Sequence, residues 1–221
     1  MKGLIRFNKL LLFVCGLLLV MSTTCLAETD IPKAKLPLLT TSAGQSPDAT
    51  TVNIVLEDAG IKFDYCDVPT VEILGAGVGL AGKESGEGFH AEVYTDLEKF
   101  PEGTPYKTVI IAIGASLKGM GASGLTVENE VSRLKKLIDH CKAKKMFIIG
   151  VHVGGVSKRG APGGDNERMI DAVAPFANYL IVTADGNKDG RFTNIAKEKG
   201  IPLTQVEYAL DIVSIFKKVF Q

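Results

Sequence analysis

The chain has 221 residues, with 25 lysines and arginines balanced by 25 aspartates and glutamates. Lys2, Arg6 and Lys9 lie in the first 27 residues and no acid does, so the remainder carries 22 positive against 25 negative side chains, a net of −3. With no basic stripe to neutralise phosphates, that balance argues against a nucleic-acid protein and gives no reason to expect adhesion to anionic lipid.

The basic start is followed by an uncharged apolar run, Leu10 to Met21, and by Cys25-Leu26-Ala27, small residues at the positions a leader peptidase reads. This pattern predicts a secretory signal peptide over 1–27, because the run of 12 residues falls short of the roughly 20 that a spanning helix needs. Residues 28–35 read as a polar linker and 36–221 as a single domain, in a periplasmic or extracellular setting. Cys66 and Cys141 remain after processing. A bridge between them is permitted in an oxidising compartment, but Cys141 falls on the apolar side of a predicted helix, where cysteine acts as a small buried hydrophobe.

A first strand is expected at about Leu36–Thr41. Ser46-Pro47-Asp48 then starts a helix, with Ser46 as N-cap and Pro47 in the first position, and Gly60 ends it. Ile61–Cys66 reads as a second strand. Residues 67–106 read as an irregular excursion beside the main sheet, with a short strand at Val71–Leu74. From Thr108 the pattern is regular. Strands are predicted at Thr108–Ile113, Met146–Val151, Tyr179–Thr183 and Ile201–Val206, alternating with helices at about 126–144, 165–176, 192–199 and 210–220. The alternation predicts an α/β fold with a doubly wound, mostly parallel sheet, a flavodoxin-like or Rossmann-like three-layer sandwich.

In such folds ligands sit outside the carboxyl ends of the strands, and four glycine-rich loops follow predicted strands here. Two glycine stretches, Gly77–Gly82 and Gly119–Gly124, match the dinucleotide fingerprint but fail its context: no helix opens after the first, and five residues part the second from its strand. A nicotinamide or flavin dinucleotide is therefore not expected. The Gly114–Gly119 loop can still cradle an anion through backbone amides, with Ser116 and Lys118 as donors. Glu128 and Glu130 in the next helix turn oppose a highly charged phosphate, so a carboxylate or singly charged ligand fits better. His152 stands at a strand end, and Ser116, His152 and Asp185 could form nucleophile, base and orienter, although Gly114-Ala115-Ser116-Leu117-Lys118 lacks the second glycine of a nucleophile elbow. Asp185–Gly190 begins like a calcium loop but has Ala196 where the bidentate acid should stand. Ser157–Gly164 reads as a flap whose Lys158 and Arg159 reach an anion.

The segments Ser42–Asp48, Gly114–Gly124, His152–Gly155 and Asn187–Gly190 with Phe192-Thr193, in that order, resemble the signature segments of an exported bacterial family of unknown function, DUF6305. The resemblance implies an extracytoplasmic α/β domain and carries no established activity or catalytic residue. The residues themselves predict a small-molecule site, for a ligand with anionic character, built from Ser42, Gly44, Gln45, Ser46 and Asp48 on one wall. Ser116, Lys118, Gly119 and Gly121 would form its floor, and His152, Asn187 and Lys188 the far side, with Lys158 and Arg159 closing over it. The alternatives are an exported hydrolase using Ser116 or His152, and an accessory protein to a membrane partner.

Overall fold

The computed structural model describes residues 31–221, which form one compact unit; the expected leader peptide lies outside the described residues. Seven strands form one sheet in the order β3-β2-β1-β4-β5-β6-β7. They are β1 (Leu38–Ala43), β2 (Asp64–Cys66), β3 (Ala91–Val93), β4 (Thr108–Ile113), β5 (Phe147–His152), β6 (Tyr179–Thr183) and β7 (Leu203–Val206). All neighbours are parallel except β2 and β3, which pair antiparallel at the edge. The sheet grows one way from β1 through β2 and the other way from β4 through β7. The order therefore reverses between β1 and β4, the place where a doubly wound sheet opens a crevice.

The central strands are buried on both faces, which is why they read as near-continuous apolar runs. Alternate residues of β4 point to opposite layers. Val109, Ile111 and Ile113 pack under α4 (Val127–Ala143), α5 (Asp165–Val173) and α6 (Arg191–Lys199), while Ile110 and Ala112 face α1 (Asp48–Asp58) and α7 (Ile212–Val219). The helix ends follow local chemistry. Ser46 Oγ accepts the Asp48 N–H at 3.1 Å at the start of α1, and Gly60, at φ +74°, closes it in a left-handed turn. Thr126 caps α4 by accepting the Asn129 N–H at 3.1 Å.

The structure corrects the sequence reading at two places. Val71–Leu74 is not a strand: α2 spans Val71–Ala76, and Thr70 caps it by accepting the Ile73 N–H at 3.3 Å. The Gly114–Gly124 loop contains a short helix, α3 (Leu117–Ala122), with Ser116 Oγ accepting the Gly119 N–H at 3.1 Å. Cys66 and Cys141 are both free, and burial pushes each thiol up to about 12, so both stay protonated and inert. Among the described residues no helix is long and apolar enough to cross a membrane.

Candidate functional site

At the carboxyl ends of β1, β2 and β4 the sheet opens into a cleft of about 470 Å3. Six residues expected from the sequence meet there: Ser42, Gln45, Ser46, Ser116, Lys118 and Gly119. The loops after β1 and β4 are held together by backbone, since Gly44 O accepts the Ser116 N–H at 2.7 Å and Ala43 O accepts the Gly114 N–H at 3.0 Å. Gly119 packs on the Gln45 carbonyl so closely that a Cβ would stand 2.2 Å from that oxygen, so no other residue fits. Six further lining residues were not among those expected: Pro47, Thr50, Tyr65, Asp67, Ala122 and Ser123. Tyr65 and Asp67 come from the end of β2, whose loop has none of the glycines that marked the others. Burial pushes the Asp67 carboxyl up, against the hydrogen bond it accepts from the His90 amide at 2.9 Å.

The wall after β1 is fixed from beneath. Glu130, fully buried on α4, accepts the Gly44 N–H at 2.8 Å and pairs through both oxygens with Arg133, whose Nη2 donates to the Ser42 carbonyl at 2.7 Å. Glu130, expected to oppose phosphate as a helix-opening charge, instead fastens the loop. Ser42 itself is 1% exposed, and its hydroxyl has no protein partner.

Asp48, His152 and Lys158 form a second cluster behind this wall. Asp48 Oδ2 has no hydrogen-bond partner, and a Cβ at Gly114 or Gly154 would stand 2.5 or 2.7 Å from it. Burial raises its carboxyl, partly opposed by the Ser46 hydroxyl and then by His152 and Lys158. His152 is fully buried: Nδ1–H donates to the Ile113 carbonyl at 2.9 Å, Nε2 is unpartnered, and the ring lies 5.1 Å from that of Phe192. Burial lowers its affinity for a proton, so it is a neutral imidazole. A group whose folded pKa is raised contributes stability at low pH that is lost as pH rises through that value. We therefore expect Asp48→Asn, which keeps the neutral shape, to stabilise the fold by about 1 kcal/mol at pH 7. That gain should vanish on acidification, and urea denaturation of both proteins at two pH values checks it.

The remaining predicted residues lie elsewhere. Gly44, at φ +91°, is spent on the Glu130 bond and lies outside the cleft, and Gly121 is exposed on α3. Arg159 does not ride on a flap. Its side chain is 9% exposed and bridges Glu167 at 2.8 Å, Asp189 at 2.7 Å and the Gly186 carbonyl at 2.6 Å. Asn187 is a structural cap, accepting the Phe192 N–H at 2.9 Å while its amide donates to Thr193 and Gln205. Lys188 is solvated and paired with Asp185 at 2.6 Å.

Ser116, His152 and Asp185 do not assemble into a triad. Ser116 Oγ caps α3, His152 Nδ1 is given to a backbone carbonyl, and Asp185 accepts the Val156 N–H at 2.7 Å. A triad needs the acid on the imidazole and the imidazole on the hydroxyl. The calcium-like start of the 185–190 loop is likewise committed, with Asp185 on Lys188, Asn187 in its cap and Asp189 on Arg159.

No curated protein matches the chain in sequence. Two solved structures show some likeness. One is a GDSL-like lipase from Bacteroides thetaiotaomicron, at 12% identity and a TM-score of 0.30, covering 76% of this chain and 66% of the lipase, just under two thirds of its length. The other is a serine-to-alanine variant of the esterase AlinE4, at 14% identity and a TM-score of 0.30, covering 86% of this chain and 83% of the esterase. The family model described as a domain of unknown function, DUF6305, matches residues 35–220, so the chain belongs to that family.

Proposed function

We propose that this is an extracytoplasmic binding protein for a small polar ligand bearing a single negative charge, held in the cleft where the strand order reverses. The observation that carries the reading is the lining of that cleft. Lys118 is its cation, and Ser116, Ser123, Gln45 and the Asp67 carboxyl share the lining with it. One ammonium among hydroxyl and amide groups, with an acid also present, suits a monocarboxylate with hydroxyl or amide substituents better than a polyphosphate. The raised Asp67 carboxyl supplies a hydroxyl donor rather than a second charge when protonated. Export is supported by the basic start, the short apolar run and the small residues ending at Ala27.

The test is a thermal-shift screen of the purified protein against hydroxy acids, amino acids, simple carboxylates and inorganic phosphate. A ligand at 100 times its Kd stabilises the native state by about 2.7 kcal/mol, a readily visible rise in melting temperature. Lys118→Ala should weaken the responding carboxylate about tenfold or more without lowering the melting temperature of the free protein. A screen in which no anion shifts the transition, or a Lys118→Ala protein with unchanged affinity, defeats the reading.

A further inference from the structure

The opposite edge of the sheet, where the strands begin, carries a separate cavity of about 490 Å3. It lies between the entry to β1, the turn that ends α1, the segment after β3 and the last turn of α7. Its apolar lining comes from Leu36, Ile61, Phe100 and Phe220. Three ammonium groups stand around it, on Lys62, Lys99 and Lys217. All three are exposed and, like every described lysine except Lys188, have no carboxylate within 4.0 Å. The lining also holds the Asp96 carboxylate, whose Oδ1 accepts the amide hydrogens of Glu98 at 3.1 Å and Lys99 at 3.3 Å.

Thr95 also belongs to the lining and is 7% exposed, but its hydroxyl, which has no partner in the protein, is closed off from solvent. Its backbone is not free to bring that hydroxyl to water, because the Thr95 N–H donates to the fully buried Asp64 at 3.1 Å. Lys99 is also shaped by the apolar lining, its ammonium standing 5.4 Å from the centre of the Phe100 ring.

A recess with four apolar side chains in its lining, flanked by three exposed lysines against one aspartate, suits a single kind of molecule. A hydrocarbon body would cover the Leu36, Ile61, Phe100 and Phe220 surfaces, and an anionic head would meet the lysines. We infer that this cavity binds a single-chain amphiphile with one anionic head, of the class of a medium-chain carboxylate. A polyphosphate leaves the apolar surfaces wet, and a neutral lipid gains nothing from the lysines. The volume falls within the ordinary range for a small-molecule site, about 300–1,000 Å3.

The probe is decanoate, titrated calorimetrically into the purified protein below its micellar concentration, with octanoate, butyrate and 1-decanol for comparison. Decanoate should saturate one site. Each buried methylene contributes about fourfold in affinity, so octanoate should bind about 16-fold more weakly and butyrate undetectably. Decanol should bind at least about tenfold more weakly, as should decanoate to the Lys62→Gln/Lys99→Gln/Lys217→Gln protein. Methyl resonances of Leu36 and Ile61 should shift saturably with decanoate, a readout that does not depend on any variant. The inference is overturned if decanoate does not saturate, if decanol binds equally well, or if the lysine triple leaves binding intact. Decanoate binding lost in Lys118→Ala but kept in the triple overturns it as well, because the amphiphile then occupies the carboxyl-edge cleft. The two sites thus fail separately: a monocarboxylate bound through Lys118 stands whatever decanoate does.

Discussion

Asp64→Ala is expected to destabilise the protein by about 4 kcal/mol. Asp64 is fully buried in β2, and its two oxygens accept three hydrogen bonds from the irregular 67–106 segment: the Tyr106 hydroxyl at 2.5 Å, the Gly79 N–H at 2.9 Å and the Thr95 N–H at 3.1 Å. Burial and then the Asp64 charge hold the Tyr106 phenol in its protonated, donating form. Truncation leaves three buried donors without an acceptor, each costing about 1–3 kcal/mol before relaxation. Tyr106→Phe removes only one of the three bonds and should cost about 1.5 kcal/mol. Urea denaturation gives both numbers, and amide exchange at Gly79 and Thr95 should report the loss locally. Equal midpoints for wild type and Asp64→Ala would show that this carboxylate does not anchor the segment.

Arg159→Met should cost about 3–5 kcal/mol at pH 7, because it strands a buried charge. Glu167 is 1% exposed and holds Arg159 at 2.8 Å, Arg191 at 3.0 Å and the Gly160 N–H at 3.1 Å. Burial alone pushes its carboxyl up, but the Arg159 hydrogen bonds and charge outweigh this and hold it below the usual glutamate value. A depressed carboxylate contributes stability that is present above the unfolded-state pKa and lost as pH falls through the folded one. In the variant, burial is opposed only by the Gly160 N–H and Arg191, and Glu167 takes up its proton at higher pH. The gap between wild type and Arg159→Met should therefore narrow as pH falls through the variant's Glu167 pKa and go on narrowing until the lower wild-type pKa is passed. A gap that stays constant from pH 7 to pH 3 would mean that the lost packing of the long side chain, not the charge, sets the cost.

The central strands and the carboxyl-edge loops were legible in the sequence because their signals are local. Thr108–Ile113 and Tyr179–Thr183 match residue for residue, since a strand covered on both faces must be apolar throughout. The loops after β1 and β4 announced themselves by glycines that the geometry needs, such as Gly119 against the Gln45 carbonyl. What failed was of two kinds. Val71–Leu74 is an apolar run too short to separate strand from helix by period, and the deciding signal was the Thr70 cap just before it. Arg159, Asn187 and Glu130 were misassigned because their partners are distant in sequence: Asp189 lies 30 residues from Arg159, Gln205 lies 18 from Asn187, and Gly44 lies 86 from Glu130. A charge on a loop and a charge in a buried network read alike until the chain is folded. The second cavity had no sequence signature at all, since Lys62, Lys99 and Lys217 come together only through the sheet.

The clamp of Glu130 and Arg133 on the loop after β1 sets how the carboxyl-edge cleft can behave. Displacing Ser42 or Gly44 would require breaking charge-assisted bonds to α4, a helix of 17 residues whose Leu134, Leu137 and Ile138 are seated in the core. The cleft is therefore held rigid on that side, and under the proposed binding role competing ligands would meet one common shape. Encounter should proceed at similar speeds for all of them, and discrimination should reside in how long each one stays.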